Sequence, residues 1–142
     1  MSRAATRTFL IPQQKLPARF GITETLGRFK TQRDARKFLN RVTNQLEVCE
    51  DKQLSTSITV ARVEPAAFRG SQYALWRVEN EVNDERVVAF WMGVARVRNY
   101  VVQVQFAPVD EHDVDEETFR ALITRARDRL FELVPEPTPT TE

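Results

Sequence analysis

The sequence predicts an α+β fold, an antiparallel twisted sheet with two long helices packed on it. Three observations carry this expectation. Apolar residues recur at spacings of three and four over residues 32–48 and again over 116–132, which places them on one face of a helix each time. Between these stretches lie runs of alternating, β-branched or aromatic residues at about 55–63, 72–82, 86–97 and 100–107, the composition of strands. The links between these runs are short, and short links enforce antiparallel pairing because parallel neighbours need long crossovers.

Taken in order, residues 1–7 read as a flexible lead-in. Residues 8–11 form a short strand stopped by Pro12, and Pro17 and Gly21 punctuate the stretch after it. Residues 22–29 add a strand or an irregular edge. Helix one has Thr31 as its cap, with Asp34 three residues on. Its apolar stripe is Ala35, Phe38, Leu39, Val42, Leu46 and Cys49, and Arg33, Arg36, Lys37 and Arg41 sit opposite. Pro65, Gly70 and Ser71 mark a loop after the first of the four strands. Asn83-Asp84 is a turn signal. A tight turn at Arg98-Asn99 joins the last two strands, with Asn99 suited to positive φ. Pro108 ends the sheet. Helix two is capped by Asp115, and Val114 and Phe119 occupy the positions of a hydrophobic staple. Its stripe is Phe119, Leu122, Ile123, Ala126 and Leu130. Glu116 and Glu117 in its first turn and Arg127 and Arg129 near its end suit the helix dipole. One domain over 8–133 and a Pro/Thr-rich tail over 134–142 complete the chain.

Composition narrows the function. A chain of 142 residues, 42% hydrophobic and 29% charged, is one globular domain with a core of its own. A net charge of +1 gives no global pull toward nucleic acid. The basic stretch 28–41 lies on the polar face of an amphipathic helix, has no interleaved aromatic platform, and reads as a solvated face. No run approaches the roughly 18 apolar residues of a membrane span, and no signal peptide follows Met1.

Catalytic and metal-binding constellations are not found, so a non-enzymatic binding module is expected, with no cofactor. His112 is the only histidine. It is surrounded by carboxylates, which admits a metal or general-base role, but a surface residue in a polar loop is the plainer reading. Cys49 is the only cysteine, which excludes an internal disulfide. At a helix C-terminus among Glu47, Glu50 and Asp51 its thiolate is disfavoured, and a structural thiol is the plainer reading. The four glycines, Gly21, Gly27, Gly70 and Gly93, form no phosphate loop.

The stretch 86–97 is the informative one. Val88, Phe90, Met92 and Val94 face one way, and Val87, Ala89, Trp91, Gly93, Ala95 and Val97 the other. With both faces apolar, this strand belongs inside the sheet and covered on both sides. One large ring among small residues leaves volume beside Trp91, Gly93 and Ala95. A loop of the chain, for which residues 8–29 are the candidate, a small-molecule ligand or a protein partner would fill it. Arg77, Gln103 and Gln105 are the polar residues expected to converge there if strand register puts them on that face.

The stretch Trp91-Met92-Gly93-Val94-Ala95-Arg96-Val97-Arg98-Asn99-Tyr100 and its continuation Val101-Val102-Gln103-Val104-Gln105-Phe106 resembles the hairpin of PknH-like sensor domains. These are extracellular parts of actinobacterial serine/threonine kinases and envelope lipoproteins. Cys49-Glu50-Asp51-Lys52-Gln53-Leu54 after a helix, Arg7-Thr8-Phe9-Leu10-Ile11-Pro12, Phe20-Gly21-Ile22-Thr23-Glu24-Thr25 and the closing helix fit the same layout. The chain differs in having one cysteine where the kinase ectodomains have disulfide pairs. The resemblance implies an extracytoplasmic ligand-sensing or interaction domain with a central cleft. The alternatives are a dimerisation module using the Trp91 face and, third, a small cone-shaped α+β hydrolase or isomerase.

Overall fold

The structure, a computed structural model, describes residues 3–9, 21–52, 56–67, 71–83, 86–108 and 113–134. In chain order the elements are β1 (Arg3–Phe9), β2 (Ile22–Arg28), α1 (Gln32–Lys52), β3 (Thr56–Ala67), β4 (Ser71–Asn83), β5 (Arg86–Val97), β6 (Tyr100–Phe106) and α2 (Glu116–Leu133). The six strands form one sheet in the order β1-β2-β6-β5-β4-β3, every pair antiparallel. The α+β expectation holds. The sequence also puts β5 inside, and it lies between β4 and β6.

The two helices take opposite faces of this sheet. On one, Ala35 and Leu39 of α1 pack with Phe29, Ala74, Trp76, Val78, Val94 and Val101. On the other, Phe119, Ile123, Ala126 and Leu130 of α2 pack with Tyr73, Leu75, Trp91, Ala95, Val97, Val102, Val104 and Phe106. The apolar doubling of β5 follows from this: its even residues serve the α1 core and its odd residues the α2 core. Phe38, Val42, Leu46 and Leu122, expected in the core with the others, are half-buried at its margins.

Both helix starts show the expected chemistry. Thr31 Oγ1 accepts from the Asp34 amide at 3.1 Å and donates to Asp34 Oδ2 at 2.8 Å. Asp115 Oδ1 accepts from the Thr118 amide at 2.7 Å, and Val114 packs against the same core as Phe119.

Three local readings are corrected. Residues 3–7 are not a loose lead-in; they belong, with Thr8 and Phe9 of the expected strand, to an edge strand paired with β2 from Arg3↔Arg28 to Phe9↔Ile22. Its Arg/Ala/Thr composition hides the strand because β1 lies at the margin of the sheet. The region around Pro65 is strand rather than loop: β3 runs to Ala67, with register shifts between Val60 and Arg62 and between Glu64 and Ala67. An edge strand tolerates proline at such an irregularity. In the β5–β6 turn the positive φ, 52°, belongs to Arg98 and not to Asn99. Asn99 instead makes a pair of hydrogen bonds with Phe29. Its Nδ2 donates to the Phe29 carbonyl at 2.9 Å, and the Phe29 amide donates to the Asn99 carbonyl at 2.8 Å. The hairpin is thereby tied to the connection leading into α1.

Candidate functional site

Trp91 and its small neighbours are covered by the chain itself, by α2; most of the segment 8–29 named as the candidate cover, residues 10–20, lies outside the described residues. Trp91 is 6% exposed and Ala95 fully buried. The Trp91 ring stacks on Phe119 with centroids 5.6 Å apart, and its Nε1 donates to the Val114 carbonyl at 3.0 Å. A Cβ built on Gly93 would lie 3.0 Å from Ile123 Cγ1 and 3.2 Å from Phe119 Cε1. Gly93 and Ala95 are therefore small so that a helix can sit on the sheet. The ligand floor expected at Trp91, Gly93 and Ala95 is packed core.

Register separates the polar residues expected there. Arg77 pairs with Trp91 across β4–β5 and shares its face, with Cζ 5.1 Å above the indole ring. Its guanidinium spans Asp113 Oδ2 at 3.0 Å and Glu79 Oε1 at 3.3 Å. Burial alone lowers the Arg77 pKa, but the hydrogen bonds to Asp113 and Glu79 outweigh it and hold the group above its ordinary value. Arg77 thus anchors the approach to α2. Gln103 and Gln105 pair with Val94 and Met92, so they lie on the α1 face, away from Trp91.

The open volume on the α2 face lies one strand further out. Because α2 runs over β4, β5 and β6, no helix among the described residues lies above the same face of β2. Ile22, Glu24, Leu26 and Arg28 alternate onto that face, opposite Phe106, Val104, Val102 and Tyr100. Between β2 and the flank of α2 is a cavity of about 550 Å³. Ile22, Val104 and Leu122 supply its apolar lining, and Glu24, Arg125, Asp128, Arg129 and Glu132 its charged rim. Arg129 reaches across it to Glu24. A second hollow of about 290 Å³ continues along β1 and β2, lined by Arg3, Ala5, Leu26, Arg28, Tyr100 and Leu133. Leu133 is 47% exposed there, the exposed large hydrophobic among the described residues.

The alternation of Ile22, Glu24 and Leu26 was the available signal for this groove. Its location beside α2 was not readable, because β2 joins β6 across 71 intervening residues, those from 29 to 99, and nothing local announces that pairing.

Among the described residues no three of His, Cys, Asp and Glu come together as a metal site, and no helix is long and apolar enough to cross a membrane. His112 lies outside the described residues; Cys49 falls in the backbone of α1, and its side chain lies outside them.

The chain matches no known protein family and no curated protein. Among solved structures it is similar to PA94 of Pseudomonas aeruginosa, a protein of unknown function described as a candidate regulator. The identity is 17% and the TM-score 0.45, over 97% of this chain and 88% of that one. No function is carried across at that distance.

Proposed function

We propose that this chain is a non-enzymatic binding domain that seats a small amphipathic molecule in the groove between β2 and α2, and that it serves as a ligand sensor of the actinobacterial cell envelope. The envelope setting rests on the resemblance to PknH-like domains. The binding reading rests on the groove: about 550 Å³ with an apolar lining and a few charges at its rim, the usual make-up and size of a small-molecule site. Ile22, Val104 and Leu122 suit an apolar ring or short chain. Arg125, exposed on the rim, suits a hydrogen-bond-accepting end.

Titration with an environment-sensitive apolar fluorophore tests this. Wild type should give a saturable signal, and Leu122→Trp, which fills the lining from the half-buried margin of α2, should weaken it at least about tenfold, or roughly 1.4 kcal/mol, with the thermal midpoint little changed. Equal binding by wild type and Leu122→Trp would reject the groove as the site. Light scattering run alongside separates the dimerisation reading, in which wild type would associate and the fluorophore would compete with association.

A further inference from the structure

The open face of β2 extends beyond the groove. Ile22 and Glu24 line the 550 Å³ groove, and Leu26 and Arg28, next in the same alternation, line the 290 Å³ hollow. The two spaces therefore follow one another along a single strand. α2 flanks both, with Leu122 at one end and Leu133 at the other. From Ile22 to Arg28 the trough runs about 20 Å, at roughly 3.3 Å per strand residue. Its floor is apolar for most of that length, from Ile22 and Val104 to Leu26, and half-exposed Leu133 stands beside it.

Charge is distributed unevenly along this trough. The rim of the groove has three carboxylates, Glu24, Asp128 and Glu132, against two guanidinium groups, Arg125 and Arg129. Arg129 is engaged with Glu24. The lining of the hollow has two arginines, Arg3 and Arg28, and no carboxylate. Register sets these two directly opposite each other on β1 and β2, with Tyr100 of β6 next in the row. Arg28 leans on the Tyr100 ring, Cζ 5.7 Å from its centroid. Like charges directly opposite on a strand pair repel, and an anion received between them turns that repulsion into attraction. The C-terminal end of α2 brings about half a negative charge to the hollow, less than the positive charge of two guanidinium groups.

We propose that the trough takes one molecule of a free fatty acid, an assignment that rests on the groove being a binding site. The acyl chain lies along β2 over Ile22, Val104 and Leu26, and the carboxylate sits between Arg3 and Arg28. A carboxylate matches the guanidinium fork, which donates two parallel N–H bonds to it. The direction of the ligand follows from the charges. At the Arg125 end carboxylates outnumber guanidinium groups and disfavour an anion, so that end takes the methyl terminus or a neutral acceptor. Two exposed cations at one end of an apolar trough select an anionic single-chain amphiphile over a neutral or cationic one of the same length.

Competition against the apolar fluorophore on the full chain tests this with three amphiphiles that share one tail. They are dodecanoate, dodecanol and dodecyltrimethylammonium, each kept at concentrations where it is monomeric. Dodecanoate should displace the fluorophore at about a tenth of the dodecanol concentration, the effect of a charge-assisted hydrogen bond, and dodecyltrimethylammonium should be weakest. Replacing both arginines, Arg3→Ala with Arg28→Ala, at exposed positions, should bring dodecanoate to the level of dodecanol. Fluorophore affinity and the thermal midpoint should stay as in wild type. Arg3→Ala alone leaves the Arg28–Tyr100 contact in place; it should give a smaller loss in the same direction, and it decides where the double variant does not fold. Arg33→Ala, exposed on α1, should behave as wild type. Dodecanoate that binds no better than dodecanol, or as well to the double variant as to wild type, would overturn the carboxylate site, while a fluorophore signal that still responds to Leu122→Trp would keep the groove. Absence of saturable fluorophore binding to wild type would remove the groove and the fatty acid together.

Discussion

At the scale of single residues, Gly93 decides how the molecule uses its most apolar strand. The contacts that a Cβ there would make with Ile123 and Phe119, at 3.0–3.2 Å, leave no room for a side chain. Gly93→Leu should therefore destabilise the fold by about 1–3 kcal/mol or more, as overpacked cores do, read from the urea midpoint at unchanged slope. Gly93→Ala combined with Ile123→Ala should be less destabilising than the sum of the two, since the second removes the atoms that the first strikes. Asp115 makes a second test at this scale. Its hydrogen bonds with Thr118 hold the carboxyl pKa below its ordinary value. Its stabilising effect is complete above the unfolded pKa of about 3.9 and is lost as pH falls through the lower folded value. Asp115→Asn should flatten the loss of stability below about pH 4, seen by following unfolding against pH. The sequence made Asp115, Thr31 and the Val114–Phe119 staple legible, because capping is written within a single short stretch of about six residues. It could not say what fills the space beside Gly93, because Phe119 and Ile123 arrive from 26 and 30 positions away.

At the scale of elements, helix and strand periods were legible wherever an element has one wet and one dry face, as in α1, α2 and β6. β1 and the later part of β3 were not, since edge strands have fewer neighbours to bury against and so tolerate arginine and proline. The placement of Gln103 and Gln105 was also out of reach, because register is a property of a strand pair. The join between elements at Asn99 gives a further prediction. Its Nδ2 satisfies the Phe29 carbonyl, so Asn99→Ala should cost about 1 kcal/mol. Protection of the Phe29 amide in hydrogen exchange should fall, because that amide depends on the Asn99 carbonyl being held in place. Protection within α2, which packs on the other face, should stay as it is.

At the scale of the whole molecule, one sheet separates two cores, and each core contains one tryptophan. Trp76 is buried on the α1 face and Trp91 on the α2 face. Trp91→Phe leaves a reporter for the first core, and Trp76→Phe leaves one for the second. The two cores share β4, β5 and β6, whose successive residues alternate between them, so neither core can melt without taking the middle of the sheet with it. Both single-tryptophan proteins should unfold in urea at the same midpoint by fluorescence as by far-ultraviolet circular dichroism, the signature of one cooperative transition. Leu39→Ala in the α1 core should cost about 2–5 kcal/mol and Ile123→Val in the α2 core about 0.5–1.5 kcal/mol. Their sum should hold in the double variant within about 0.5 kcal/mol, because the sheet lies between the two sites and they share no contact. Cooperativity and additivity are separate consequences of the same architecture: the shared strands couple the melting of the two cores, and the sheet's thickness keeps their side chains apart. A fluorescence midpoint for Trp91 well below that for Trp76 would mean that α2 can leave the sheet while α1 stays, and the three layers would then be two units and not one.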